Sequence, residues 1–211
     1  MKDPWTDIEI DVIETLTRRV RLLSLSQVGD LWWPDAPSQR VVRRLLRRLR
    51  QAGLLCRTVI NVQPRTKIKT PLCVWQVGCA PPSTDQIVQR LQRRWRNAAA
   101  PTEVYWASPL AANLFGSTAG KLPGLTHRDH DLLLGDVFLF YRRLRPSMAA
   151  LWVGEDARPK AGHRIKDPDA LLIGHDGRPL AAIESAGRYG QTQLTSFHAH
   201  CENLQLAYEL Y

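Results

Sequence analysis

The chain has 211 residues and a formal net charge of +9, and 44% of its residues are hydrophobic. This length suits one large or two small domains, and the apolar fraction is ordinary for a globular protein. No run of 18 apolar residues is present and the N-terminus carries no apolar signal segment, so we expect a cytoplasmic protein with no membrane partner.

The positive charge is concentrated in the first half of the chain. Residues 1–100 contain 18 basic and 8 acidic residues, a net charge of +10, whereas residues 101–211 contain 11 and 12, a net charge of −1. Clustered Lys and Arg side chains attract polyanions, because they release counterions from phosphates. The distribution favours a nucleic-acid partner, with a solvated basic surface as the alternative.

The first 34 residues predict two helices. Thr6 and Glu9 form a capping-box pattern ahead of an apolar stripe that continues to about Val20. A second, shorter helix can begin at Ser24 or Ser26 and run to about Trp33. The short second helix is typical of the first helix of a helix-turn-helix.

The segment SQRVVRRLLRRLRQAG predicts a third helix, which Ser38 caps and Gly53 ends. At about 100° per residue, its apolar side chains gather on one side and its arginines on the other. Such a helix can bury one side in a small core and enter the major groove of DNA with the other. The predicted DNA-binding residues of this helix are Arg40, Arg43, Arg44, Arg47 and Arg50.

Two β-rich runs, 54–62 and 71–77, flank a basic loop and predict a hairpin with Arg65, Lys67 and Lys69 at its tip. Two helices, an arginine-rich helix and a basic hairpin, in this order, resemble the winged helix-turn-helix. The resemblance implies that the third helix and the hairpin both bind double-stranded DNA. A winged helix that binds an acidic protein is the alternative. A homodimer is a further expectation, because two-fold dimers are common, although no heptad pattern enforces one.

The remaining chain predicts a linker helix and a second domain. Breakers bracket a helix within 81–100, and residues 101–211 then predict a strand with a short helix, followed by helix, three strands, helix and strand. An Asp-Gly turn joins the second and third of these three strands. The predicted class is α+β, with a winged helix-turn-helix at 1–80, the linker at 81–100 and an α/β domain at 101–211.

Carboxylates near the ends of two neighbouring strands predict a metal site in the second domain. Asp169 lies on the second strand and Glu184 near the end of the third, across the hairpin. Oxygen ligands in this arrangement suit Mg²⁺ or Mn²⁺. A third acid can come from the preceding helix, where Asp131 and Asp136 are available with His130 nearby. Asp136 is the predicted third metal ligand.

The motifs DPDALL and AIESAG, in this order of elements, resemble the PD-(D/E)xK nuclease superfamily. Behind a winged helix, the whole arrangement is similar to the replication-relaxation family, which includes relaxases of the MobC type. The resemblance implies a restriction-endonuclease-like α/β domain with Asp169 and Glu184 as catalytic residues. It also implies recognition of an origin or transfer site of a plasmid or other mobile element, with nicking by metal-dependent phosphodiester hydrolysis.

The chain departs from the superfamily pattern at one position. The pattern has a lysine two residues after the acid of the third strand, where this chain has Ala186. Arg188 is the predicted substitute for its charge, and Lys166 on the second strand is an alternative. Tyr189 is a candidate nucleophile by analogy with tyrosine relaxases. A domain that keeps the fold without cleaving is the alternative function, as a transcriptional regulator or a replication accessory factor.

The cysteines form no CxxC pair and are expected to be free thiols rather than disulfides. A zinc site in the segment FHAHC is a weaker alternative, because adjacent positions of a helix point in different directions. Its candidate ligands are His198, His200 and Cys201.

Overall fold

The structure is a computed structural model that describes residues 5–64, 68–94, 98–159 and 167–211. The candidate residues Arg65, Lys67 and Lys166 lie outside the described residues. The architecture is mixed α+β, as predicted, with two sheets. No helix among the described residues is both long and apolar enough to cross a membrane.

Residues 5–114 form the first group of helices and strands. They are helix α1 (Asp7–Glu14) with a π-helical turn (Thr15–Arg19), strand β1 (Leu23–Ser24), helix α2 (Leu25–Trp32), helix α3 (Gln39–Gln51), strand β2 (Leu55–Val62), strand β3 (Cys73–Trp75), helix α4 (Thr84–Arg94), strand β4 (Ala100–Ala107) and helix α5 (Pro109–Leu114).

The remaining elements follow a 3₁₀ turn at Leu125–His127. They are helix α6 (Arg128–Leu144), helix α7 (Pro146–Ala150), strand β5 (Trp152–Gly154) with a 3₁₀ turn (Glu155–Ala157), strand β6 (Ala170–Ile173), strand β7 (Pro179–Glu184), helix α8 (Gln191–Asn203) and strand β8 (Ala207–Leu210).

The capping box that the sequence predicts at Thr6 and Glu9 is present, and a second one forms at Ser24, one of the two predicted caps of the next helix. The Glu9 amide donates to Thr6 Oγ1 at 3.2 Å, and the Thr6 amide donates to Glu9 Oε2 at 2.9 Å. Ser24 and Gln27 make the same reciprocal pair at the start of α2. These side chains satisfy amides that have no partner within the helix, so both helices begin where the sequence predicts.

The first sheet has the order β1-β4-β2, and all of its pairs are antiparallel. Strand β2 pairs with β4 along its whole length, from Leu55 opposite Ala107 to Val62 opposite Ala100. The predicted hairpin between 54–62 and 71–77 is therefore wrong. Strand β3 lies in the second sheet instead, where it pairs with β8. Strands from before residue 80 therefore pair with strands from the second predicted domain, across both predicted limits. The limits at residues 80 and 100 remain predictions.

The second sheet has the order β3-β8-β7-β6-β5. Strands β5, β6 and β7 are antiparallel, and β7 and β8 are parallel because α8 connects them as a crossover. The predicted order of helix, three strands, helix and strand in this half is confirmed. Helix α6 is buried over the continuous stretch from Asp131 to Tyr141, so it packs at the centre of the molecule.

One apolar core joins the two halves of the chain. Residues of α1, α2 and α3 share a cluster with residues of α6, β5, β6 and β7. The π-helical turn reaches β5 directly, where Trp152 Nε1 donates to the carbonyl of Arg19 at 2.9 Å. A Cβ on Gly154 would lie 2.4 Å from that same carbonyl oxygen, so only glycine permits this approach.

Candidate metal centre and basic surface

Three side chains from separate elements meet in an open cleft of about 580 Å³. His130 is near the start of α6, Asp169 directly precedes β6, and Glu184 is the last residue of β7. One ligand atom from each lies within 4.8 Å of the other two. The structure therefore brings the predicted pair Asp169 and Glu184 together and adds a histidine.

The pairing of β6 with β7 explains why the two carboxylates meet. Ala170 lies opposite Ile183, so Asp169 and Glu184 are neighbours across the ladder. The amide of Ser185 donates to Asp169 Oδ2 at 2.7 Å, and the amide of Asp169 donates to Glu184 Oε2 at 3.3 Å. The hydroxyl of Tyr189 donates to Glu184 Oε1. Backbone amides thus hold both carboxylates in place although Glu184 is fully buried.

His130 lies between two carboxylates. Its Nδ1 is 3.1 Å from Asp131 Oδ1, and its Nε2 is 3.1 Å from Asp169 Oδ2. Burial on its own would lower the pKa of His130, but the charges and hydrogen bonds of Asp169 and Asp131 outweigh it and raise the pKa to about 11. A protonated imidazole therefore supplies positive charge to the acidic cleft.

The donor atoms fit a divalent cation. Two carboxylates and an imidazole suit Mn²⁺, and carboxylates also suit Mg²⁺, so His130 would release its proton when the ion binds. The second oxygen of Asp131, Oδ2, is buried and has no hydrogen-bond partner among the described residues, although Asp131 lines the cleft. A buried polar atom without a partner is costly, so this oxygen is available to a further group in the cleft. His130, Asp169 and Glu184 are the residues that would hold the ion.

Asp136, the predicted third ligand, does not join this group. It lines a different cavity, of about 390 Å³, together with Asp30 and Lys69. Asp136 follows His130 by six residues, which is about 240° around the helix axis, so the two point in different directions. The helix residue that meets Asp169 and Glu184 is His130, and the expectation for Asp136 is corrected accordingly.

The position of the superfamily lysine is occupied by a buried alanine. Ala186 has φ 53°, in the left-handed region that non-glycine residues rarely adopt. The chain turns sharply here and carries Arg188 and Tyr189 into the lining of the cleft. Arg21 from the N-terminal half also lines the cleft, and it binds Asp156 through Nε at 2.8 Å and Nη2 at 2.9 Å.

The arginine-rich helix α3 has the amphipathic structure that the sequence predicts. Val42, Leu46 and Leu49 are buried. The arginines predicted to bind DNA are all exposed, namely Arg40, Arg43, Arg44, Arg47 and Arg50. Such a surface is electrostatically suited to a polyanion.

Lys69 does not lie at a hairpin tip. The strand that pairs with β2 is β4, and Lys69 lines the cavity that contains Asp136 and Asp30. Arg65 and Lys67, the other two residues predicted for the tip, lie outside the described residues. The tip residues that the sequence predicts therefore belong to the segment between β2 and β3.

Phe197 and Cys201 of the segment FHAHC belong to a second apolar core, whereas Ala199 is exposed. His198 Nδ1 is 3.1 Å from the Tyr208 hydroxyl, and its ring packs edge-on against Trp75 with 5.0 Å between centroids. All four cysteines are free thiols, as predicted. The one metal-competent group found among the described residues is His130, Asp169 and Glu184.

Two functional groups do not follow from the sequence pattern. The first is His130, for which the one available signal is its position in the first turn of a helix that precedes three strands. The second is the pair of Glu103 and Arg57. No sequence signal links them, because they come from strands whose pairing the local pattern does not reveal.

Comparison with known proteins adds no relative. The chain matches no protein-family model, no curated protein and no solved structure. The resemblance to the replication-relaxation family therefore stays a prediction.

Proposed function

We propose that this protein binds double-stranded DNA and nicks it by metal-dependent phosphodiester hydrolysis. The observation that carries the proposal is the convergence of His130, Asp169 and Glu184 in one cleft. Buried carboxylates near each other need a compensating positive charge, which protonated His130 supplies and which a divalent cation would supply in its place, and such arrangements are concentrated at functional sites. The family resemblance supports an origin or transfer site of a mobile element as the target.

The order and pairing of the first elements support the DNA-binding half of the proposal. The order is α1, β1, α2, α3 and β2, and β1, β4 and β2 form a three-stranded antiparallel sheet, an arrangement that resembles the plan of a winged helix. In that plan α3 enters the major groove and the β2–β4 pair is the wing. The exposed arginines of α3 would contact mainly phosphates, with direct contacts to guanine as the sequence-specific component.

The second half supports hydrolysis through the roles of its own residues. A divalent cation in the cleft would polarise the phosphodiester and activate water. Ser185 and Tyr189 hold Asp169 and Glu184 in fixed orientations through the hydrogen bonds described above. Arg188 lines the same cleft and carries the charge that could stabilise a phosphate as it is attacked. Arginine does not act as a base, so Arg188 would serve only this electrostatic role.

A protein that binds DNA without cleaving it is the second candidate function. The observation in its favour is Ala186, which is fully buried where the superfamily has its lysine. In this case the domain keeps its fold and the carboxylates of the cleft without cleaving DNA. The protein then acts as a transcriptional regulator or a replication accessory factor.

Supercoiled plasmid incubated with Mn²⁺ or Mg²⁺ distinguishes the two functions. We expect the wild type to produce open circles and the variants Asp169→Asn and Glu184→Gln to produce none. Asp136→Asn is the matched control, because it changes a buried acid of α6 that lies in another cavity. Equal nicking by all four proteins would exclude the proposed site. Absence of nicking by the wild type on plasmids that carry its own binding sequence would favour the regulator.

A further inference from the structure

A second charged cluster lies where α3 meets the three-stranded sheet. Glu103 on β4 accepts hydrogen bonds from Arg43 Nε at 2.6 Å, from Arg57 Nε at 2.5 Å and from the Tyr105 hydroxyl at 2.6 Å. The side chain of Glu103 is 8% exposed, whereas those of Arg43 and Arg57 are 44% and 35% exposed. One nearly buried carboxylate therefore holds two guanidinium groups at the surface.

Strand geometry accounts for the cluster. Glu103 and Tyr105 are two residues apart on β4, so their side chains lie on the same face of the sheet. Arg57 on β2 is directly opposite Tyr105 and shares this face. Leu46 of α3 packs in the same core as Tyr105, which brings Arg43 over the sheet.

The carboxylate remains ionised in this setting. Burial alone would raise the pKa of Glu103, but the hydrogen bonds from Arg57, Tyr105 and Arg43 outweigh it and lower the pKa to about 2. Tyr105 is 1% exposed, so its hydroxyl fixes one side of the carboxylate from within the core. Glu103 thus accepts from both arginines throughout the physiological pH range.

Most donors of the two guanidinium groups remain available. Each arginine uses its Nε for Glu103, and Arg57 also interacts with the Tyr105 hydroxyl, which leaves most Nη donors of the two side chains facing other groups than Glu103. The planar guanidinium fork matches the oxygens of a phosphate. Arg43 also belongs to the exposed surface of α3, since Arg40 and Arg47 lie one helical turn from it on either side.

We propose that Arg43 and Arg57 form a binding site for a phosphate of the DNA backbone, in which Glu103 is the positioning residue that sets their spacing. This inference rests on the proposed DNA-binding function and extends the DNA-contacting surface from α3 to strand β2. It assigns a ligand to Arg57, which is otherwise only a partner in an internal ion pair.

The salt dependence of DNA binding tests the site. Fluorescence anisotropy with a short labelled duplex gives the slope of log K against log salt for each variant. Arg57→Ala should make the slope shallower by about 1, so that wild type loses three- to four-fold more affinity than the variant between about 50 and 200 mM salt. Arg178→Ala is the matched control, because Arg178 is 85% exposed at the distant turn between β6 and β7. Its slope should equal that of the wild type.

Two outcomes separate this inference from the function on which it rests. If replacing Arg40, Arg44 and Arg47 by Ala flattens the slope while Arg57→Ala leaves it unchanged, the phosphate site is wrong and DNA binding stands. If neither change affects the slope, DNA binding by this surface is wrong as well. Arg57→Lys protects the test against misfolding of the alanine variant. It keeps the charge and should keep the slope but bind more weakly, and wild-type affinity in this variant would also overturn the site.

Glu103→Gln tests the positioning role. Counting charges alone predicts that this change tightens DNA binding and steepens the slope, because it removes one negative charge. Loss of the fixed spacing predicts weaker binding with a slope no steeper than that of the wild type. Tighter binding by Glu103→Gln would therefore show that the carboxylate is only a counter-charge and would overturn its assignment.

Discussion

Helix α3 and the cleft around His130 carry opposite charges and differ in how much water reaches them. The α3 arginines that are predicted to bind DNA are exposed, so each can keep its hydration and the helix can form without a ligand. Asp131, Asp169 and Glu184 are buried, and their ionised forms need compensation from within the protein. An exposed basic surface is therefore a weak indication of function, whereas a buried acidic cluster that the fold maintains is a stronger one.

Mutations that disable either the cleft or the arginines of α3 should have the largest effects on nicking and DNA binding. Glu184→Gln is expected to reduce Mn²⁺-dependent nicking by about 100-fold or more while leaving DNA binding unchanged, because it alters a metal ligand and no exposed cation. The combined variant Arg40→Ala, Arg44→Ala, Arg47→Ala is expected to weaken DNA binding, and nicking with it, without changing the metal site. Its salt slope should fall by about 2.7, and Mn²⁺ binding should remain. Electron paramagnetic resonance of free Mn²⁺ measures binding of the ion, and fluorescence anisotropy measures binding of DNA. If either variant loses both Mn²⁺ binding and DNA binding, the two regions are not independent.

Asp131→Asn should weaken Mn²⁺ binding by about 10- to 100-fold, because a carboxylate that binds the second nitrogen of a ligating histidine sets its orientation and basicity. The hydrogen bond from His130 Nδ1 to Asp131 Oδ1 is the contact that would be weakened. Titration of Mn²⁺ followed by its resonance signal gives the affinity. Asp136→Asn serves as the control from the same helix, and equal affinities in the two variants would remove Asp131 from the site.

The affinity for Mn²⁺ should rise with pH by about tenfold per unit from about pH 6 to about pH 9. The pKa of His130 is raised to about 11 by Asp169 and Asp131, which outweigh the opposite effect of burial, so the imidazole is protonated across this range and must lose its proton to bind the ion. His130→Ala should bind Mn²⁺ weakly with little dependence on pH. A pH-independent affinity in the wild type would exclude His130 as a ligand.

Gly154→Ala tests the contact between the π-helical turn after α1 and strand β5, and it should have the smallest effect of these changes. The new methyl group would meet the carbonyl oxygen of Arg19, so we expect a loss of about 1–3 kcal/mol in the free energy of unfolding. Chemical denaturation measures this loss. Gly124→Ala is the control, because a Cβ there meets only His127 Cδ2 at 4.0 Å. If Gly154→Ala and Gly124→Ala are equally stable, the turn and β5 are not held together as tightly as their contact indicates.

Much of the candidate site could be predicted where it depends on neighbours in the chain. The Asp-Gly turn and the flanking apolar runs predicted the β6–β7 hairpin, and the hairpin places Asp169 beside Glu184. Helix α3 follows from its own periodicity in the same way. The partner of β2 could not be predicted, since the sequence predicts strands near both β3 and β4 and either could have paired with β2. Strand alternation identifies a strand but not its partner.

The sequence by itself determined the arginine surface of α3, the capped starts of α1 and α2, and the pair of carboxylates across one hairpin. Each depends on side chains within about one or two turns or one strand ladder of each other, where backbone geometry fixes their relative positions. Only the tertiary structure decided that His130 rather than Asp136 faces the carboxylates, and that Glu103 holds Arg43 and Arg57. These contacts join residues far apart in the chain, and their geometry depends on how the elements pack around the shared core.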